Sequence, residues 1–246
     1  MHDLAAKMAV ILRAGLYKAL RRDPLTGLRI SARSDIEFIG TPYGGWAVPV
    51  SLFNENSVCY CAGCGEDISF DLGLIRKFGC QVYAYDPTPR AIAYVAKTAG
   101  AEQNYHFQGI GLWDRHQKLN FYAPQNSAHV SHSILNLQKT EKYFEAEVFR
   151  LAELMRDNGH QKLDLLKLDI KGAEYKVIDS IIDDGLDISV ICVEYDEVFN
   201  PLDSGYPVRI KRSIEKLISA GYSIGYLQKT GNYTFVKNLA IVSTAG

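Results

Sequence analysis

From about residue 57 onward, short apolar runs alternate with amphipathic stretches of helical period. Such alternation restricts a chain to βαβ units and a mainly parallel sheet. The runs are Val58–Ala62, Gln81–Tyr85, Tyr105–Leu112 leading to Lys118–Tyr122, Leu163–Asp169, Ser189–Tyr195, Ser223–Leu227 and Tyr233–Val242. Between them, helical spacing predicts helices over Ile68–Phe78, Arg90–Ala99, about Lys142–Asn158, about Ala173–Asp183 and Val208–Ala220. Val190–Val193 is continuously apolar, as a strand covered on both faces must be. Residues 23–50 carry Asp23-Pro24, Thr41-Pro42, Gly44-Gly45 and Pro49, and read as loops and turns. The first 22 residues place Leu4, Met8, Ile11, Leu12, Leu16, Ala19 and Leu20 at helical spacing among basic residues. They read as an amphipathic helix packed on the body or on a partner, with a membrane-surface helix as the alternative.

Composition narrows the classes. Lys and Arg total 27 and Asp and Glu 28, for a net charge of -1, so a large electrostatic footprint for nucleic acid is not expected. No apolar run approaches the roughly 18–20 residues of a membrane span. The five cysteines, Cys59, Cys61, Cys64, Cys80 and Cys192, are odd in number and crowded before residue 81. They do not suggest a disulfide framework, and a reducing, cytoplasmic location is the simpler expectation.

In an open α/β sheet the ligand lies beyond the carboxyl ends of the strands. After the first run stands Cys61-Ala62-Gly63-Cys64-Gly65-Glu66-Asp67. Its glycines permit a tight turn, and the next helix directs its N-terminus at a ligand. A dinucleotide fingerprint needs a third glycine where Ile68 stands, and Glu66 and Asp67 would repel a pyrophosphate. A cationic or zwitterionic ligand suits the turn better. Asp86, 23 residues beyond Gly63, is suited to accept hydrogen bonds from both ribose hydroxyls, or alternatively to cap the following helix. Asp169 closes an apolar strand, where a carboxylate needs a partner, and Glu174 opens a helix whose dipole it suits. Glu194-Tyr195-Asp196-Glu197 follows the fifth run.

The Cys61-x-x-Cys64 pair lacks a second pair or a histidine cluster for zinc, so no metal site is expected. Cys59 and Cys61, two apart on a strand, share a face, and Cys64 near a helix N-terminus is a candidate for a lowered thiol pKa. His129 and His132 lie in a polar segment, Pro124–Leu137, between core runs. Either is a candidate general base, and hydrogen bonding within a loop is the alternative.

Several stretches taken together resemble the FkbM family of class I S-adenosylmethionine-dependent methyltransferases. They are Tyr43-Gly44-Gly45-Trp46, GCGEDISFDL at 63–72, YDPTP at 85–89, GLWD at 111–114, HVSHSI at 129–134, LDLLKLDIKGAEY at 163–175 and CVEYDE at 192–197. The resemblance implies an α/β, Rossmann-like fold: a mainly parallel seven-stranded sheet with the last strand antiparallel and helices on both faces. Residues 1–50 would form a helical extension and loop, and 51–246 the Rossmann-like domain. It implies S-adenosylmethionine as cofactor, with Cys61, Gly63, Gly65, Glu66 and Asp67 at the methionine part, Asp86 at the ribose, and Gly109 and Ile110 at the adenine. Asp169 would face the methionine end or the acceptor, and His129, His132 and Asp169 are the catalytic candidates. The implied reaction is methylation of a hydroxyl, or of a nitrogen, on a sugar, glycan or natural product. A homodimer through the N-terminal helix is the expected assembly. This chain departs from the family pattern at Cys61, where an acid is usual two residues before the first glycine. It departs again at Lys171, where an acid usually precedes the glycine of the fourth-strand motif, and at Glu194-Tyr195-Asp196, where an acidic-aromatic-His pattern is common. Two other functions fit the residues: a nicotinamide-dependent oxidoreductase on a similar sheet, and a methyltransferase-like module that binds without turning over.

Overall fold

The computed structural model describes residues 12, 24–25, 27–125, 132–136, 139–228 and 231–238. In chain order its elements are β1 (Ile36–Ile39), β2 (Trp46–Pro49), β3 (Val58–Ala62), α1 (Ser69–Phe78), β4 (Gln81–Tyr85), α2 (Pro89–Ala99), β5 (Tyr105–Gln108), β6 (Gly111–Trp113), β7 (Gln117–Tyr122), β8 (Tyr143–Arg150), α3 (Leu151–Asp157), β9 (Lys162–Leu168), α4 (Glu174–Asp183), β10 (Asp187–Glu194), α5 (Tyr206–Ser219), β11 (Tyr222–Leu227) and β12 (Asn232–Lys237).

Seven strands form one sheet in the order β11-β12-β10-β9-β3-β4-β5. Pairings among β10, β9, β3, β4 and β5 are parallel, and β12, last in sequence, runs antiparallel to both β10 and β11. The α/β, Rossmann-like expectation therefore holds.

Period-two alternation divides the core between the two faces. Tyr60, Ala62, Leu166, Leu168, Ile191 and Val193 pack with α3, α4 and α5 on one side. Cys59, Cys61, Leu165, Val190 and Cys192 pack with α1, α2 and the β1–β2 hairpin on the other. Both faces are covered, which is why these runs read as continuously apolar. Cys59 and Cys61 share a face as expected.

Three stretches differ from the sequence expectation. Tyr105–Leu112, read as one run, is divided between β5 in the main sheet and β6 in a small second sheet. The segment from Lys142 was expected to be helical to Asn158, but Tyr143–Arg150 is a strand and only Leu151–Asp157 is helix. Phe144, Ala146 and Val148 alternate with Glu145 and Glu147, and β8 is the central strand of a small sheet, β6-β8-β7. Aromatic and β-branched residues on a pleated surface outweigh the helical reading. Residues 36–49, read as loops and turns, contain the β1–β2 hairpin, which sends Ile39, Trp46 and Val48 into the core.

Of the expected N-terminal helix only Leu12 lies among the described residues; it is helical and exposed. Among the described residues no helix is long and apolar enough to cross a membrane.

Candidate functional site

The turn after β3 meets the ends of β4 and β9 at the carboxyl edge of the sheet. Gly63 has φ +85°, and a Cβ there would stand 1.9 Å from the Asp169 carbonyl oxygen, so no other residue fits without moving the backbone. The Gly63 N–H donates to Tyr85 O at 2.9 Å, and the Asp169 N–H donates to Ala62 O at 3.1 Å. Gly65, with φ +53°, has no atom within 4 Å of where its Cβ would be. The turn is thus locked at one glycine and open at the other.

Asp86 fixes the turn from the end of β4. Its Oδ2 accepts from the Cys64 and Gly65 N–H groups, each at 2.9 Å, and its Oδ1 accepts from the Thr88 N–H at 2.8 Å. The last bond is a turn onto Thr88, the N-cap of α2, and no side chain caps that helix, so Asp86 forms the turn and is not the cap. A carboxylate of about four lone-pair sites retains one for a further donor.

Beneath the turn lies a buried polar group. Lys167, 3% exposed in β9, donates from Nζ to Gly63 O at 2.7 Å. Burial opposes its charge, but Asp71 and Asp169 outweigh that and hold the ammonium above the ordinary lysine range. Asp71, from the first turn of α1, accepts from Tyr105 Oη at 3.0 Å. Burial raises its pKa despite Lys167. Asp71 Oδ1 is buried without a hydrogen-bond partner. Sequence reasoning missed both Lys167 and Asp71. The available signal was a lysine inside an otherwise apolar strand, LLKLD, which demands a buried counter-charge.

The cysteine expectation for reactivity is corrected. Burial, then Asp71, pushes the Cys61 and Cys64 thiols well above the usual range, so Cys64 is not activated by the nearby helix terminus. Among the described residues, no cluster of three or more His, Cys, Asp or Glu side chains has the arrangement of a metal site.

Glu66 and Asp67 carry partners of their own. Arg90 donates to Glu66 through Nε at 3.1 Å and Nη2 at 2.6 Å. Asp67 accepts from the Ser69 N–H at 2.9 Å and from Thr41 Oγ1 at 2.5 Å. Burial disfavours the Asp67 charge, yet these bonds bring its pKa below the usual carboxylate value. The Thr41 N–H also donates to Ser69 Oγ at 2.8 Å, so the loop at the tip of the β1–β2 hairpin braces the glycine turn.

The carboxyl ends of β9 and β10 are acidic around one lysine. Lys171 Nζ lies 2.6 Å from Asp169 Oδ1 and 3.7 Å from Asp196 Oδ1, and is ion-paired with Glu194. Burial raises the Asp169 pKa, but Lys171 and Lys167 more than reverse this. Burial and Asp169 raise Glu194. Glu174 accepts from the Gly172 N–H at 2.8 Å, and burial, then Asp196, pushes it up to about 8.

His132 lies edge-on to Phe144, with ring centroids 5.0 Å apart, beside the small sheet. His129 lies outside the described residues. The neighbouring Ser133 donates to Lys171 O at 2.6 Å, and Leu135 packs against Gly172, so this segment closes over the β9–α4 loop. Gly109 and Ile110 follow β5 at the same sheet edge, with Gly109 against Ile92 of α2.

The profile of the Methyltransferase FkbM domain matches residues 54–223. The human protein named "Probable methyltransferase-like protein 24" is 25% identical over 130 residues, covering 52% of this chain and 29% of its own length. Its rat counterpart is 26% identical over 124 residues, covering 50% of this chain and 28% of its own. The chain therefore spans less than a third of the length of these curated relatives. Among solved structures, an FkbM methyltransferase from Methylobacillus flagellatus is 13% identical, covers 75% of this chain and 44% of its own, and has a TM-score of 0.44. The fibrillarin of Aeropyrum pernix, solved with S-adenosyl-L-methionine, is 10% identical, covers 87% and 85%, and has a TM-score of 0.42.

Proposed function

This chain belongs to the FkbM methyltransferase family, whose cofactor is S-adenosylmethionine, and on that premise we propose that it methylates a hydroxyl oxygen of a small-molecule or glycan acceptor. The observation that carries the reading is the convergence on one sheet edge of the open glycine turn, Asp86 and Asp169. Such an edge suits a cationic ligand bearing a ribose. The residues fit the cofactor in two respects: Gly65 leaves space and Asp86 retains an acceptor site.

The cofactor supplies an electrophilic methyl group on a sulfonium. The chain's own part is to bind, orient and manage protons. Asp86 would accept from the ribose, Gly63 shapes the turn, Gly65 would let the backbone approach the ligand, and Gly109 and Ile110 would border the adenine. Glu66 and Asp67 lie at the methionine end. Alignment of nucleophile, methyl carbon and leaving sulfur accounts for roughly 7–11 kcal/mol of barrier, and a base adds about 10²–10⁴-fold. His132, on the segment whose Ser133 and Leu135 meet the β9–α4 loop, is one candidate base, and His129 is the other candidate from the sequence. Nitrogen is the second acceptor class, a cytoplasmic location and a small-molecule rather than nucleic-acid partner go with the reading, and dimerisation through the N-terminal helix is the proposed assembly.

The test is a thermal-shift comparison of S-adenosylmethionine with a nicotinamide dinucleotide. The melting point should rise with the first alone. A rise with the nicotinamide cofactor alone refutes the reading. A non-catalytic module has one observation in its favour: Lys171 neutralises the acids where acceptor chemistry belongs. Incorporation of labelled methyl into hydroxyl-bearing acceptors separates that module from an enzyme.

A further inference from the structure

Asp169 and Glu194 follow one another across the sheet edge, at the ends of parallel neighbours β9 and β10. One ammonium, Lys171 Nζ, lies against both carboxyl groups, 2.6 Å from Asp169 Oδ1 and ion-paired with Glu194, and two carboxylates held that close oppose each other's ionisation. Asp196 and Glu174 face the pair from behind, Lys167 lies below Asp169, and Asn232 of β12 stands in register with Glu194. Glu174 Oε1 is buried without a hydrogen-bond partner, on a residue only 1% exposed. Three carboxyl groups thus contact Lys171, Lys167 acts on Asp169 as well, and Glu174 feels Lys171 only through space, so ionisation of all of them together is disfavoured. The exposure is graded. The Asp169 and Glu194 side chains keep 29% and 16% of their surface, and Asp196 only 8%, so the pair opens toward the sheet edge.

Resting on the methyltransferase reading, we propose that the Asp169–Glu194 pair exchanges a proton for the cofactor's positive charge, with Glu194 as the base that receives the acceptor's proton. Beside a sulfonium the pair is fully ionised. The acceptor oxygen forms the new bond to the methyl carbon, the carbon–sulfur bond breaks with its electron pair left on sulfur, and the hydroxyl proton passes to Glu194. The site loses one positive charge at sulfur and regains it as that proton, so its net charge is the same before and after transfer. Lys171 is a positioning residue that holds the two carboxyl groups together.

Calorimetry in two buffers of different ionisation enthalpy, near neutral pH, counts the protons released on binding. The probes are S-adenosylmethionine and S-adenosylhomocysteine, whose sulfur is uncharged. Binding of the first should release up to one proton more than binding of the second. Glu194→Gln should abolish that difference, and Glu145→Gln, on the exposed face of β8, should preserve it. Lys171→Met should move the pH at which the extra proton is released upward, a shift that a merely structural lysine does not produce. Binding of both ligands with equal proton counts, or an unchanged difference in Glu194→Gln, overturns the proposal while leaving the methyltransferase reading standing. Failure of either ligand to bind overturns both.

Discussion

Asp86 holds structure with one carboxylate that the proposed function also assigns to the ribose. Its three backbone donors hold the glycine turn and the start of α2, so its loss acts on stability as well as on binding. Asp86→Ala should lower stability by about 1–3 kcal/mol in denaturant titrations, because buried N–H groups lose charged acceptors. It should also weaken S-adenosylmethionine binding markedly by calorimetry; unchanged affinity removes Asp86 from the site. Glu174 makes a prediction of opposite sign. Its pKa rises from 4.5 to about 8 on folding, chiefly through burial. The unfolded chain therefore gives up that proton first, and the contribution to stability falls by about 1.4 kcal/mol per pH unit between those two values. Glu174→Gln should flatten this slope and leave the variant more stable than the parent at the alkaline end. Melting curves across that range check it, and parallel slopes would count against a buried, protonated Glu174.

Among the elements, β8 decides the clearest difference between sequence and structure. Val148 is fully buried and paired on both sides, opposite Gly111 and Gln117. Val148→Ala should cost about 1–3 kcal/mol, whereas Glu145→Ala, on the exposed face, should stay within about 0.5 kcal/mol. Equal effects in chemical denaturation would contradict the strand. The main sheet was legible because each of its parallel strands is buried on both faces and bounded by turns, so Val58–Ala62 and Gln81–Tyr85 are found where the apolar runs predict them. Strand β8 and the β1–β2 hairpin were not: β8 mixes glutamates with aromatic residues, and the hairpin's strands are only four residues each, set among Pro and Gly turn residues. The glycine turn, Asp86 and Asp169 were legible at strand ends for the same topological reason. Lys167, Asp71 and the clustering of Glu174, Glu194 and Asp196 about Lys171 required the fold, since they come from four separate elements or their flanking loops.

For the molecule as a whole, ligand binding and folding are linked, because only the folded chain presents the sheet edge. At a cofactor concentration 100 times Kd the linkage supplies about 2.7 kcal/mol, and a domain of this size gains about 2–4 °C per kcal/mol. The thermal-shift test therefore predicts a rise of roughly 5–10 °C. Gly63 and Lys167, joined by a hydrogen bond, are separated by 104 residues in the chain. The cofactor turn consequently has no local precursor. At synthesis rates of about 5–20 residues per second, a growing chain waits on the order of 5–20 s after making the turn before the strand that shapes it exists. The N-terminal half alone should be blind to the cofactor, and binding competence should arrive late and all at once, when β9 inserts beside β3.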